Sequence, residues 1–439
     1  MNNHKMQTRE KVTLGLMVLM SFFLQCDLYI TPAIVSELAS EYSVPKESIS
    51  YVASAFTLLG AALSIFFGYM SDRASRKKLL IAVVLIGEIP CMLTGVKFFT
   101  AGFQGFVVLR ILTGIGVGGI YPLLFSLVSD YFTDKHRAKA VAIVDIAWAL
   151  GIMVGPIMAG IGLVSGYGWR LAFILAAVPN FPVVLIFALV ARAPQRGASE
   201  TALADAISSG ATYAHRIKLS DFRRVFKNKT NIFLFLQGIP GTVPWGILTF
   251  WVITFFKETQ GMGQAEATLI WELFGVGAVV GGLGWAVVGD RLFSRKPAYL
   301  PLLCTLGIAA GTIPCFIFFN VDLGSSLAVM AVGLLGGICI STASSNNKAM
   351  LMNVNRPENR GSVFAVFNLT DNIGKGFGPA LGGAILAASG SYRVMVNSAV
   401  TFWFLCSLLF IGVIFSIGKD RKAMLDLMDE RGRELKNEL

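Results

Sequence analysis

Charged side chains inside long apolar runs are the groups of this sequence best able to do chemistry. Asp27 interrupts the run 12–36, Arg110 the run 104–132 and Asp145 the run 138–164; Asp371 and Lys375 share the run 360–389. A charge at a helix centre in a bilayer costs roughly 2.5–3.5 kcal/mol on insertion scales, so each needs a partner, water or a function. Asp27 lies about 15 residues into its run, ~22 Å along a helix at 1.5 Å per residue, around mid-bilayer. Either a substrate or proton role or a structural hydrogen bond fits it. Arg110 suits ion coupling or anion binding. A carboxylate beside an arginine ionises more readily while burial opposes this, so such a pair is able to change protonation when its surroundings open.

Asp371 and Lys375 stand at i and i+4 on one helix face. They are read either as an internal ion pair or as the polar end of a cavity. Asp145 aligns with Asn368 in an internal repeat described below, which favours a cavity position for both. Glu272, Asn368 and Asn372 are further candidate cavity groups. Glu88, Glu272 and Lys348 lie nearer run ends or beside aromatic residues, where a packing role is the plainer reading. No convergent nucleophile–base set is visible, and His4, His136 and His215 are far apart. No catalytic site, metal site or cofactor is therefore expected. The six cysteines all fall in apolar runs without a CxxC pair and read as small buried hydrophobes.

These groups need elements that place them at membrane depth. Of the 439 residues, 55% are hydrophobic and 14% charged, against about a quarter charged in soluble domains. Mean hydropathy is +0.67. Spanning runs of about 20 residues fall at 12–36, 48–71, 78–98, 104–132, 138–164, 169–191, 231–256, 265–289, 298–319, 325–353, 360–389 and 394–417. The expected fold is all-α and polytopic, with 12 transmembrane helices in two pseudo-symmetric six-helix bundles. The expected divisions are a bundle over 1–191, a cytoplasmic linker over 192–230, a second bundle over 231–418 and a cytoplasmic tail over 419–439. The basic stretch before the first run reads as the flank of a retained first span.

Grouping the termini with alternate loops puts 29 of the 37 basic residues on one side and five on the other. The positive-inside rule then places both termini in the cytoplasm. Basic residues punctuate apolar runs instead of forming one polar face, so no nucleic-acid partner is expected. The bilayer and a small solute are the expected partners, and a monomer the expected state.

The halves repeat each other. Asp72-Arg73 with Arg76-Lys77 closes the second run, and Asp290-Arg291 with Arg295-Lys296 closes the eighth, 218 residues later. Gly155-Pro156-x-x-Ala159-Gly160 matches Gly378-Pro379-x-x-Gly382-Gly383 at an offset of 223, the same offset that separates Arg137 from Arg360. Duplicated halves are the build of rocking transporters, with a site at their interface.

Three motifs in order carry a resemblance to a known family. Gly68-x-x-x-Asp72-Arg73-x-x-Arg76-Lys77 resembles the loop 2–3 signature of the major facilitator superfamily, with Ser75 at its usual glycine. Arg110-x-x-x-Gly114-x-Gly116 resembles its fourth-helix signature, and Gly151-x-x-x-Gly155-Pro156 its fifth-helix glycine–proline motif. The resemblance implies that Asp72 and its basic neighbours latch the halves together in the outward-facing state. Within the superfamily the chain is similar to Spinster-type lipid transporters. Cys26-Asp27-Leu28-Tyr29 is similar to their Asp-Arg pair, with Leu28 at the arginine. Pro194-x-Arg196-Gly197-x-x-Glu200 is similar to their linker.

The functional expectation is a secondary active transporter working by alternating access. No GxxxxGK[ST] loop occurs, so ATP is not the expected energy source, and acidic groups at depth make the proton the expected coupling ion. A lysophospholipid-like molecule is the leading substrate, its head among Asp27, Arg110, Asp371 and Lys375. The alternatives are a multidrug or organic-anion transporter and, from another class, a non-transporting receptor or sensor. A bacterial-type inner membrane is the expected location.

Overall fold

The computed structural model describes residues 8–71, 73–131, 134–191, 226–322, 324–355 and 360–437. All regular structure among them is helical. Helices satisfy their own backbone polar groups, which hydrocarbon will not do for them. The chain divides into two compact units, Met1–His215 and Arg216–Leu439.

The first unit contains α1 (Thr8–Ala33), the short α2 (Val35–Tyr42), α3 (Lys46–Ser71), α4 (Arg76–Thr94), α5 (Phe103–Tyr131), α6 (Asp134–Val164), α7 (Arg170–Ala177) and α8 (Asn180–Val190). The second contains α9 (Lys229–Gln260), α10 (Gln264–Arg295), α11 (Tyr299–Asn320), α12 (Ser326–Ile340), α13 (Ser344–Val354), α14 (Arg360–Ser389) and α15 (Tyr392–Asn437). Among the described residues, ten segments are long and apolar enough to span a bilayer. They count α7–α8 as one span and α12–α13 as another. Adding α4 and α14, whose charged residues lower their apolar content, makes twelve.

The packing pairs repeat as the sequence does. In the first unit α1 packs on α6, α3 on α5 and α4 on α5. In the second, α9 packs on α14, α10 on α12 and α11 on α12. The two glycine–proline motifs sit at the equivalent crossings. Gly155 meets the Cys26 carbonyl and Tyr29 on α1, whereas Gly378 meets Gly246 on α9. A Cβ at Gly378 would lie 2.5 Å from the Gly246 Cα. Gly114, Gly116 and Gly151 make similar approaches, to Phe56, Gly87 and Gln25. Small residues allow this contact where lipid supplies no hydrophobic drive between helices. Ile65, Phe66, Leu185, Leu189, Leu283 and Phe415 are exposed on the outside of their units, as side chains in contact with acyl chains are.

Two spans are broken. The α7–α8 break falls at Val178-Pro179. The α12–α13 break is a short 3₁₀ turn over Ser341–Ala343, and side chains bond carbonyls within it and just before it. Trp285 donates to the Ile338 carbonyl at 2.8 Å, and Asn346 donates to the Thr342 carbonyl at 2.8 Å. The tail is not set off from the last span, because α15 continues unbroken from that span to Asn437. Asp420 accepts the Thr230 backbone N–H at the start of α9 at 2.8 Å, and Arg421 lies 4.7 Å over the Phe293 ring of α10. A carboxylate at a helix N-terminus meets orphan N–H groups and the positive end of the helix dipole.

Candidate functional site

In the first unit, α1, α4, α5, α7 and α8 converge on a closed polar cluster. Asp27 comes from α1 and Arg110 from α5. The Arg110 guanidinium donates to both carboxylate oxygens, Nη1 to Oδ1 at 2.7 Å and Nη2 to Oδ2 at 3.2 Å. Its Cζ lies over the rings of Phe56 and Phe173, 4.8 and 5.0 Å from their centroids. The pair is sealed, with Asp27 0% and Arg110 3% exposed. A planar fork between aromatic faces is arginine chemistry that lysine does not reproduce.

The cysteine expectation needs one amendment here. Cys91 is buried, but its thiol donates to Asp27 Oδ1 at 3.0 Å and so belongs to the polar cluster. Glu88 stands three residues earlier on the same face of α4 and is 0% exposed. It accepts from Asn180 Nδ2, at the start of α8, at 2.5 Å; the same amide nitrogen donates to the Met20 carbonyl at 3.2 Å. Glu88 Oε2 and Asn180 Oδ1 are buried without a hydrogen-bond partner. Sequence reasoning favours a packing role for Glu88, although it stands at the middle of the run 78–98, and does not single out Cys91 or Asn180. The i, i+3 spacing of Glu88 and Cys91 was the available signal.

Outside the spans, Glu41 of α2 binds Arg170 at 2.6 Å and accepts the Trp169 indole N–H at 2.6 Å. Burial raises the Glu41 carboxyl, but the hydrogen bonds from Arg170 and Trp169 outweigh it and hold the group below its usual range. Arg170 also donates to the Thr100 carbonyl at 3.1 Å. These contacts staple α2 and the 95–102 turn to the start of α7.

At the other end, the basic loop residues bond carbonyls of their own unit. Lys77 donates to the Ala188 and Ala191 carbonyls at 2.6 Å each, at the C-terminus of α8. Arg76 donates to the Ser71 carbonyl at 3.3 Å and the Ser126 carbonyl at 3.4 Å. Cations there meet the orphan carbonyls and the negative end of the dipole. Arg73 is exposed and lies 4.2 Å over the Tyr69 ring. Gly68 packs loosely on Pro122. Asp72, the expected centre of the latch, lies outside the described residues. The repeat partners Asp290 and Arg291 are exposed at the end of α10.

The second unit has a different charge pattern. Asp371 on α14 is half-buried; its carboxylate lies over Gly238 of α9, where an added Cβ would stand 3.1 Å from Oδ1. Lys375 and Lys348 both lie within electrostatic reach of Asp371, and both are exposed on the unit. Among the described residues no ion pair within 4 Å joins Asp371 to Lys375. Asn368 and Asn372 are half-buried on the same helix. Asp145 lies on α6, and its side chain is outside the described residues. Glu272 on α10 is 9% exposed, with Oε1 unpartnered. It adjoins a ring cluster in which Trp271 stacks on Phe274 at 5.1 Å and Phe274 on Trp403 at 6.3 Å. A furrow between α11 and α15, lined by Ile313, Phe316, Val400 and Phe404 with Asn397 and Thr401, carries no charge. Among the described residues no His, Cys, Asp and Glu group has a metal-binding arrangement.

Comparison with known proteins bears on this arrangement. The profile described as Major Facilitator Superfamily matches residues 17–322 and 273–427. The cis,cis-muconate transport protein of Acinetobacter baylyi is 25% identical over 318 residues, 71% of this chain and 73% of its own. The sphingosine-1-phosphate transporter SPNS2 of Danio rerio is 21% identical over 360 residues, 79% of this chain and 70% of its own. Among solved structures, a bacterial homolog of the human lysosomal transporter Spinster, inward-facing and unoccupied, aligns with a TM-score of 0.78. Its identity is 18%, over 94% of this chain and 99% of that one.

Proposed function

The chain belongs to the Major Facilitator Superfamily, and from that premise we propose that it is a proton-coupled secondary transporter of a small organic anion, working by alternating access. The observation that carries the anion is the uneven use of intramembrane charge. Arg110 gives both arms of its fork to Asp27. Lys348 and Lys375, both exposed, share the single carboxylate of Asp371. An ammonium left over at membrane depth is tolerated where it meets water and an anionic ligand, and costs a few kcal/mol elsewhere. The relative named for cis,cis-muconate handles an organic anion, which supports the same reading.

A second reading keeps a lysophospholipid-like substrate, favoured by the relative named for sphingosine-1-phosphate. Four free charges suited to a zwitterionic head are not on offer, because Asp27 and Arg110 neutralise each other. In either reading the protein acts as a monomer in a bacterial-type inner membrane, both termini cytoplasmic, with the proton as coupling ion and no cofactor or nucleic acid.

Uptake by proteoliposomes separates the two. Aromatic and aliphatic carboxylates should enter faster under an inward proton gradient. Lys375→Gln should raise KM roughly ten- to hundredfold, the worth of one charge-assisted hydrogen bond, while Lys375→Arg retains most affinity. Uptake restricted to lysolipids, with affinity rising along an acyl series and no response to carboxylates, overturns the anion reading.

A further inference from the structure

Glu88 and Asn180 leave two atoms unsatisfied in a way that identifies what is missing. One bond joins them, from Asn180 Nδ2 to Glu88 Oε1 at 2.5 Å. The atoms without partners are the other oxygen of the same carboxyl, Oε2, and the oxygen of the same amide, Oδ1. Both are acceptors as long as Glu88 is ionised, and both are shut away from water. A proton on Oε2 turns it into a donor. A planar acid and a planar amide already joined by one N–H···O bond then close the second bond, O–H···O, and form a cyclic acid–amide pair. One proton removes both defects. A buried polar atom left unsatisfied is costly, and an unpaired buried carboxylate more so.

The charges around Glu88 agree. Its neighbours are Asp27 and Cys26 from α1, Arg110 from α5 and Cys91 on α4 itself. The titratable group of α7, Arg170, is engaged with Glu41, and α8 has none. Arg110 is the single cation of the set, and both arms of its fork are given to Asp27. With Glu88 neutral the cluster sums to zero; with Glu88 ionised it carries one uncompensated negative charge in a dry interior.

We infer that Glu88 holds a proton in a cyclic pair with Asn180, and that this is the proton the transporter takes up and releases. The second half rests on the proton-coupled reading above. Release breaks the Oε2–H bond, passes the proton to water and leaves a carboxylate. That step requires Asn180 at the head of α8 to part from α4 and admit water. Asp27 and Arg110 are positioning residues here: their closed pair keeps the guanidinium from neutralising Glu88.

Infrared spectroscopy of the purified full chain reads the protonated carboxyl directly. Wild type at neutral pH should show a deuterium-sensitive carboxylic C=O band that shifts when glutamate carboxyls are carbon-13 labelled. The band should vanish in Glu88→Gln, persist in Glu272→Gln and shift in Asn180→Leu. In proteoliposomes Glu88→Gln, whose amide can still pair with Asn180, should retain counterflow exchange while gradient-driven uptake falls at least about tenfold. No labelled band in wild type, or an undiminished band in Glu88→Gln, overturns the assignment even where other variants misfold. Full gradient-driven uptake by Glu88→Gln overturns its transport role. A wild type with the Glu88 band but no response to a gradient defeats the coupling reading and upholds the protonated Glu88.

Discussion

At the scale of the residue, the first unit is organised by the sealed Asp27–Arg110 pair. The bidentate fork and the thiol donor of Cys91 offset part of the cost of desolvating two charges. Removing one partner leaves the other charged, buried and alone. Asp27→Leu or Arg110→Met is therefore expected to cost about 3–5 kcal/mol, whereas the double replacement costs less than either single one. Thermal unfolding of the four proteins in detergent measures this coupling. Additive losses would show that the two side chains are energetically independent despite their distance.

Among the elements, stability depends on backbones that nearly touch and on helix ends that are capped. Gly116 of α5 lies against the Gly87 backbone of α4, so a methyl group there must push two helices apart. Gly116→Ala is expected to lose about 1–3 kcal/mol. Gly160→Ala should be neutral or gain up to about 1 kcal/mol, since nothing lies within 4 Å of its Cβ position and alanine favours a helix. Comparing the monodisperse yield and melting temperature of the two variants tests the helix contact against a general intolerance of α-helical glycine replacement. The end of α15 provides a second test. Truncation after Gly418 removes Asp420 and its bond to the start of α9, while truncation after Leu427 keeps both. Only the shorter protein should lose stability, by about 1 kcal/mol, the worth of a capping side chain. Equal melting temperatures would reduce the tail to an appendage.

For the whole molecule, the decisive quantity is the distribution of Lys and Arg, 29 on one predicted side and five on the other. Fusions of a reporter that fluoresces only in the cytoplasm should be bright at both termini. A periplasmic phosphatase should be active only after predicted outer turns, such as the one at Gly166–Gly168. Bright signals at one end alone would break the twelve-span reading, because an even number of crossings returns the chain to its starting side.

The span positions, the duplication and the charge asymmetry were legible in the amino-acid sequence because each rests on a local cost. Burying a polar backbone or a lysine in hydrocarbon is expensive wherever the helix sits, so run lengths and loop charges carry the information by themselves. The repeat was equally plain in Asp72 and Asp290 and in the two glycine–proline motifs, whose crossings with α1 and α9 are equivalent in the fold. The geometry of the charge pairs was not legible. Hydropathy cannot separate a lipid-facing side of these helices from a packed one, since acyl chains are as apolar as leucine. Thus Asp27 and Arg110, 83 residues apart, could be weighed as a carboxylate–arginine pair, but the sealed two-pronged contact between them could not be read from the runs. Asp371 and Lys375, in register on one helix, remain unpaired. Glu88 acquired its meaning only when α8 brought Asn180 against it. Which way each helix turns is decided by side chains from several others at once, and that arrangement exists only in the tertiary structure.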